Sequence, residues 1–301
     1  MVTQNWVSQA GKRRFSMSYC PEQTPHTTVG ALLLPGFLEP MCDTDYFMSK
    51  LAKKLYHSGI YVLQMDLYGS GDSAGESEEI TLDGLRDDIL SGIAQLKRIG
   101  MEKIFCVGRG IIATLLSEEP VSSLSSGVFG INPYCVSPDV VSKMWPGLQG
   151  DCIDLHTVFQ GTEYTDLSDF DDDKVSFFSA LGAHIRNIHG QMISTAFLNE
   201  LCTYSGLDAV GHCKNAYFIV NNPNSEKGYM VCNHLDKTRH RDLHTYYRCS
   251  LMRDAMWQYN VIIEINENEN GFFVFRISDD GHGMSEEMVQ KIRDPFVTTR
   301  T

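Results

Sequence analysis

The feature that most constrains this chain is a series of short, continuously apolar segments separated by stretches of helical spacing. Residues 29–35 (Val-Gly-Ala-Leu-Leu-Leu-Pro), 60–66, 104–108 and 127–132 are four such segments. Between them, residues 45–57 place Phe47, Leu51 and Leu55 four apart. Residues 82–99 place Leu85, Ile89, Ile93 and Leu96 on one helical face. Strands that are apolar along their whole length, rather than at alternate positions, belong to a sheet covered on both sides. Strand and helix in alternation then predict an α/β fold, a mostly parallel sheet with helices on both faces. Residues 4–19 add a hairpin turning at Ala10-Gly11.

The rhythm breaks twice. Pro138, Pro146 and the acidic run 166–173 interrupt it, and residues 175–201 read as a helix, so 135–212 is expected to be a cap-like insertion before the strand 216–220. The acidic run could bind a divalent cation, but charge runs in loops are mostly solvated, and that reading is preferred. After the turn-rich residues 221–228 the texture changes again. Residues 242–258 read as a helix, 261–265 and 272–277 as a β-hairpin, and 285–292 as another helix. This divides the chain into a unit over 1–225 and an α+β segment over 240–301.

Composition narrows the function. With 43% hydrophobic and 21% charged residues, 25 Gly and 10 Pro, the chain is not disordered, collagen-like or coiled-coil. A formal charge of -13, from 25 basic and 38 acidic residues, repels phosphate backbones. The basic clusters at 12–14 and 237–241 are short, so no nucleic-acid partner is expected. The longest apolar run, 29–38, is broken by two glycines and a proline, and falls far short of the roughly 20 residues of a membrane span. Residues 1–6 have no basic stretch leading into an apolar one. The nine cysteines are odd in number, scattered and without a Cys-x-x-Cys pair, as expected of reduced thiols in a cytoplasmic protein.

The second strand is followed by Asp66-Leu-Tyr-Gly69-Ser-Gly71-Asp-Ser73, and the first by Pro35-Gly36-Phe37. In this order the segments resemble the α/β-hydrolase family over residues 1–225, and look most like the subgroup associated with bacterial exosortase systems. The resemblance implies an oxyanion-hole-like N–H at Phe37. It also implies a nucleophile elbow, a Gly-x-Ser-x-Gly turn between a buried strand and a helix. The matching turn here is Gly108-Arg109-Gly110-Ile111-Ile112. Gly110 has no oxygen with which to attack a carbonyl, so serine-type catalysis cannot start from this turn. The literal Gly71-Asp-Ser73-Ala-Gly75 lies in the earlier turn and reads as structural. For the remaining triad members the chain offers Glu226 and the weak candidates His234, His240 and His244, in no recognisable spacing. His212-Cys213 with Cys232 and His234 is not expected to hold zinc, because neighbours along a strand point to opposite faces.

The last sixty residues carry Asp279-Asp280-Gly281-His282-Gly283, then Asp294-Pro295-Phe296-Val297-Thr298-Thr299. Both boxes resemble the GHKL ATPase family, which includes histidine kinases and gyrase. That resemblance implies ATP with Mg²⁺ as cofactor. Asp279 would accept a hydrogen bond from the adenine amino group, Gly281 and Gly283 would form the turn beneath the base, and Thr298 and Thr299 would lie at the nucleotide. It also places Asp254, a weak Mg²⁺ ligand, where the family has Asn, and puts the family's glycine-rich lid beyond Thr301. The same residues also fit a plain hairpin followed by an acidic helix N-terminus at Ser285, Glu286 and Glu287. Three functional readings follow. The first is a hydrolase-like binding or scaffold module of esterase or acyl-transfer ancestry. The second is an ATP-binding signalling protein, and the third an interaction protein without chemistry.

Overall fold

The hairpin comes first: β1 (Val2–Gln9) pairs antiparallel with β2 (Lys12–Tyr19), and Ala10 and Gly11 take positive φ in the turn. The computed structural model describes residues 1–21, 28–43, 46–155, 172–188, 190–206, 210, 213, 215–221, 229–232, 261–267 and 273–279. The apolar segments form β3 (Val29–Leu33), β4 (Tyr61–Met65), β5 (Lys103–Arg109) and β6 (Gly127–Ile131). With β9 (Ala216–Asn221) and β10 (Tyr229–Cys232) they complete an eight-stranded sheet in the order β1-β2-β4-β3-β5-β6-β9-β10. The pairings from β4 through β9 are all parallel, while β2 meets β4, and β10 meets β9, antiparallel.

Both faces of the sheet are buried, as the apolar runs require. Leu32, Leu63 and Cys106 pack in one core with α2 (Leu82–Arg98) and α3 (Ile111–Leu115). Their strand neighbours Ala31, Leu33, Val62 and Val107 pack in a second core with Met48, Leu51 and Leu55 of α1 (Phe47–His57). A short α4 (Val121–Leu124) precedes β6. Alternate residues of one strand therefore serve opposite cores.

Between β6 and β9 run α5 (Pro138–Met144), β7 (Cys152–Asp154), α6 (Asp172–Leu181), α7 (Ile185–Ile188), β8 (Met192–Ser194) and α8 (Thr195–Leu201). The single helix expected over 175–201 is thus corrected to three helices and a strand. Gly182 and Gly190, at φ +91° and +79°, turn the chain where a helix would have to continue. β8 pairs antiparallel with β7. This region joins the sheet side through the Met192 N–H, which donates to Ser77 Oγ at 2.9 Å, and through Glu200, whose carboxylate accepts from the Leu82 N–H at 2.8 Å and so caps α2.

The predicted C-terminal hairpin is present as β11 (Val261–Glu267) and β12 (Phe273–Asp279), antiparallel with Val261 opposite Asp279. The helices expected over 242–258 and 285–292 lie outside the described residues. Among the described residues no helix is long and apolar enough to cross a membrane, and Cys20, Cys42, Cys106, Cys135, Cys152, Cys202 and Cys213 are in no disulfide.

Candidate functional site

β5 passes into α3 through the single residue Gly110. This residue sits at the tip of the turn with φ 61° and ψ -127°, a conformation that disfavours any side chain. Its N–H donates to the Ile131 carbonyl at 3.0 Å and its carbonyl accepts from the Tyr134 N–H at 3.1 Å, so the end of β6 holds the tip in place. Gly108 is glycine for packing: a Cβ there would stand 2.7 Å from Ile112 Cγ2 on the first turn of α3.

The loop after β3 runs beside this tip. The Phe37 N–H donates to the carbonyl oxygen of Leu181 at 3.3 Å. A Cβ on Gly110 would stand 2.2 Å from both the carbonyl carbon and oxygen of Leu181 and 2.3 Å from the Gly182 nitrogen. A Cβ on Gly36 would stand 2.0 Å from the Gly182 oxygen. The space over the turn is filled by the Leu181–Gly182 peptide.

A buried ionic cluster surrounds that peptide. Arg109 Nη2 donates to the Gly182 carbonyl at 2.6 Å and pairs with Asp43 at 2.8 Å, with Glu39 at 3.8 Å. Glu39 is fully buried and accepts from the His184 N–H at 2.5 Å and from Asn187 Nδ2 at 2.7 Å. Arg109 Nε is buried without a hydrogen-bond partner.

Asp66 ties the same loop from below. Its carboxylate accepts from the Met41 N–H at 2.5 Å and the Asp72 N–H at 2.9 Å, and any Cβ on Gly71 would collide with it. Burial raises its pKa to about 6, the two N–H donors oppose the rise, and the charge of Asp72 adds to it. Ser73 Oγ accepts from the Phe15 N–H and donates to the Asp66 carbonyl, the structural role expected of this turn. Neither nearby thiol is activated. Burial first, then the charge of Asp66, pushes Cys42 up, and burial pushes Cys106 to about 12.

No family model and no curated protein matches this chain. Solved structures do. Est1E from Butyrivibrio proteoclasticus, with ferulic acid bound, has a TM-score of 0.51 at 14% identity, over 71% of this chain and 77% of that one. The α/β hydrolase GrgF from Penicillium sp. sh18 has a TM-score of 0.50 at 16% identity, over 72% and 79%. The fold is that of an α/β-hydrolase.

The resemblance implied a nucleophile-elbow position at Gly110 and an oxyanion-hole-like N–H at Phe37; in the structure Gly110 lies at the turn from β5 into α3, and Phe37 lies in the loop after β3. Sequence reasoning singled out both residues. It missed Glu39, Asp43, Arg109 and Asn187. A charged residue inside the apolar run 34–41, and another between two glycines at a strand end, were the available signals. His234, His240, His244, Glu226, Asp254, Gly281, Gly283, Thr298 and Thr299 lie outside the described residues. Asp279 is described as the last residue of β12.

Proposed function

We infer that this chain is a hydrolase-fold protein of esterase or acyl-transfer ancestry that acts as a binding or scaffold module rather than as a serine hydrolase. One observation carries the reading: at the tip of the β5–α3 turn stands Gly110, and the Leu181–Gly182 peptide fills the space a nucleophile's side chain would need. A serine hydrolase requires an oxygen at that tip, a base within reach and a vacant place for the substrate carbonyl. The nine scattered cysteines support a cytoplasmic location. The test is turnover of p-nitrophenyl esters together with labelling by a fluorophosphonate probe on the purified chain. Neither is expected above background. Stoichiometric labelling of any serine, Ser73 included, overturns the reading.

A second reading rests on the GHKL resemblance of residues 240–301, with which the β11–β12 hairpin ending at Asp279 is compatible. On it, ATP with Mg²⁺ binds the C-terminal segment through Asp279, Gly281, Gly283, Thr298 and Thr299, with Asp254 toward the metal. Calorimetry with ATP on the purified chain tests it, and the absence of a binding isotherm removes it.

A further inference from the structure

Three glycines from distant parts of the chain meet at the elbow. Gly36 and Gly110 lie against the Leu181–Gly182 peptide at distances no Cβ tolerates. A Cβ on Gly182 would stand 3.0 Å from both the Arg109 carbonyl oxygen and the Gly36 Cα. Backbone has been brought against backbone on three sides, which only residues without side chains permit. The contact is also bonded at each end. The Phe37 N–H holds the Leu181 carbonyl, Arg109 holds the Gly182 carbonyl, and the Glu39 carboxylate holds the His184 N–H and the Asn187 side chain. A cap resting over an open cleft would need none of these bonds. A buried carboxylate and guanidinium, moreover, are costly unless their hydrogen bonds are made.

We propose that the oxyanion-hole position of this protein is a receptor for its own chain. The Leu181 carbonyl takes the place of a substrate carbonyl, and Glu39 and Arg109 lock the turn between α6 and α7 there, so the former reaction site anchors residues 181–188 to the sheet. The proposal names the occupant of the site read above as non-catalytic, and rests on that reading. On this account Gly110 is more than a lost serine, because the docked peptide requires it.

Hydrogen exchange on the full chain tests the lock. In the wild type, peptides covering 181–188 are expected to exchange as slowly as those covering β5 and β6, because opening the turn breaks all four bonds together. Glu39→Gln keeps the shape but replaces one acceptor oxygen with a donor. It is expected to speed exchange over 181–188 at least tenfold while leaving 103–109 unchanged. Asn187→Ala, which removes one bond and no buried charge, gives a smaller acceleration in the same peptides and serves if Glu39→Gln does not fold. Exchange of 181–188 at the rate of a solvated loop in the wild type overturns the proposal, as does an unchanged rate in a folded Glu39→Gln or Asn187→Ala protein. The fluorophosphonate assay is independent of this readout. Labelled wild type with a protected 181–188 would sink the non-catalytic reading and leave the docked turn standing. Unlabelled wild type with an unprotected turn would do the reverse.

Discussion

The carbonyl oxygen of Leu181 lies 2.2 Å from the point at which Gly110 would carry a Cβ. Atoms in van der Waals contact stand more than an ångström farther apart, so the two segments are compatible only while residue 110 is glycine. The missing side chain at residue 110 and the close approach of the Leu181–Gly182 peptide are one structural fact seen from two sides.

Gly110→Ser is therefore expected to harm the protein without reviving it. The hydroxymethyl group must displace the Leu181–Gly182 backbone, an overpacking that costs about 1–3 kcal/mol, and positive φ adds strain. Urea unfolding should show a lower midpoint than wild type, and the fluorophosphonate probe should leave the variant unlabelled. A variant that is as stable as wild type and labels stoichiometrically would contradict the geometry.

For the second functional reading, Asp279→Asn isolates the adenine contact. A hydrogen bond to a charged group is worth roughly 1.5–3 kcal/mol, or about one to two decades of affinity. Calorimetric titration of ATP into both proteins should show that loss. Tight binding indifferent to the substitution would place the nucleotide elsewhere.

The central sheet was legible because β3 to β6 are apolar on both faces, and such runs have few alternative fates. The helix expected over 175–201 failed because Gly182 and Gly190 sit inside an otherwise helical pattern and take positive φ; for Gly182 only the tertiary contact at the elbow reveals that it turns the chain. The Glu39–Asn187 bond joins residues 148 apart, beyond any local pattern. Arg14 misled most directly. In Lys12-Arg13-Arg14 it reads as part of a basic surface cluster, yet strand alternation turns it inward to 1% exposure while Arg13 faces out over the Trp6 ring.

That inward arginine makes the second-strand hairpin dependent on one partner. Arg14 Nε donates to Asp88 Oδ1 at 2.5 Å, and Asp88 Oδ2 accepts from the Tyr68 N–H at 2.9 Å. Asp88→Ala leaves the guanidinium buried and unpaired, and is expected to cost about 3–5 kcal/mol. Replacing both, Arg14→Met with Asp88→Leu, should recover most of that loss, because the desolvated charge is gone. Urea unfolding of the single and double variants decides it. A double variant as unstable as the single would mean that packing, not charge, sets the cost.

The last prediction concerns pH. Asp66 is a buried carboxyl whose pKa is raised from 3.8 to about 6. The folded protein therefore binds more protons at this site than the unfolded chain between those two values, and the linkage relation makes stability fall as pH rises through that window. The contribution is fully present below about pH 3.8 and is lost as pH climbs past about 6. Asp88, also raised by burial, acts in the same direction, so the informative quantity is the difference between wild type and Asp66→Asn. Asn has one acceptor for two donors, the Met41 and Asp72 N–H groups, so the variant should be less stable at every pH. Its deficit should be larger at pH 4 than at pH 7, since only wild type gains from protonation on the way down. Urea midpoints of both proteins at pH 4, 5, 6 and 7 measure this. A deficit that is constant across the series would show that Asp66 titrates as an ordinary exposed carboxylate, and that its burial does not set its charge.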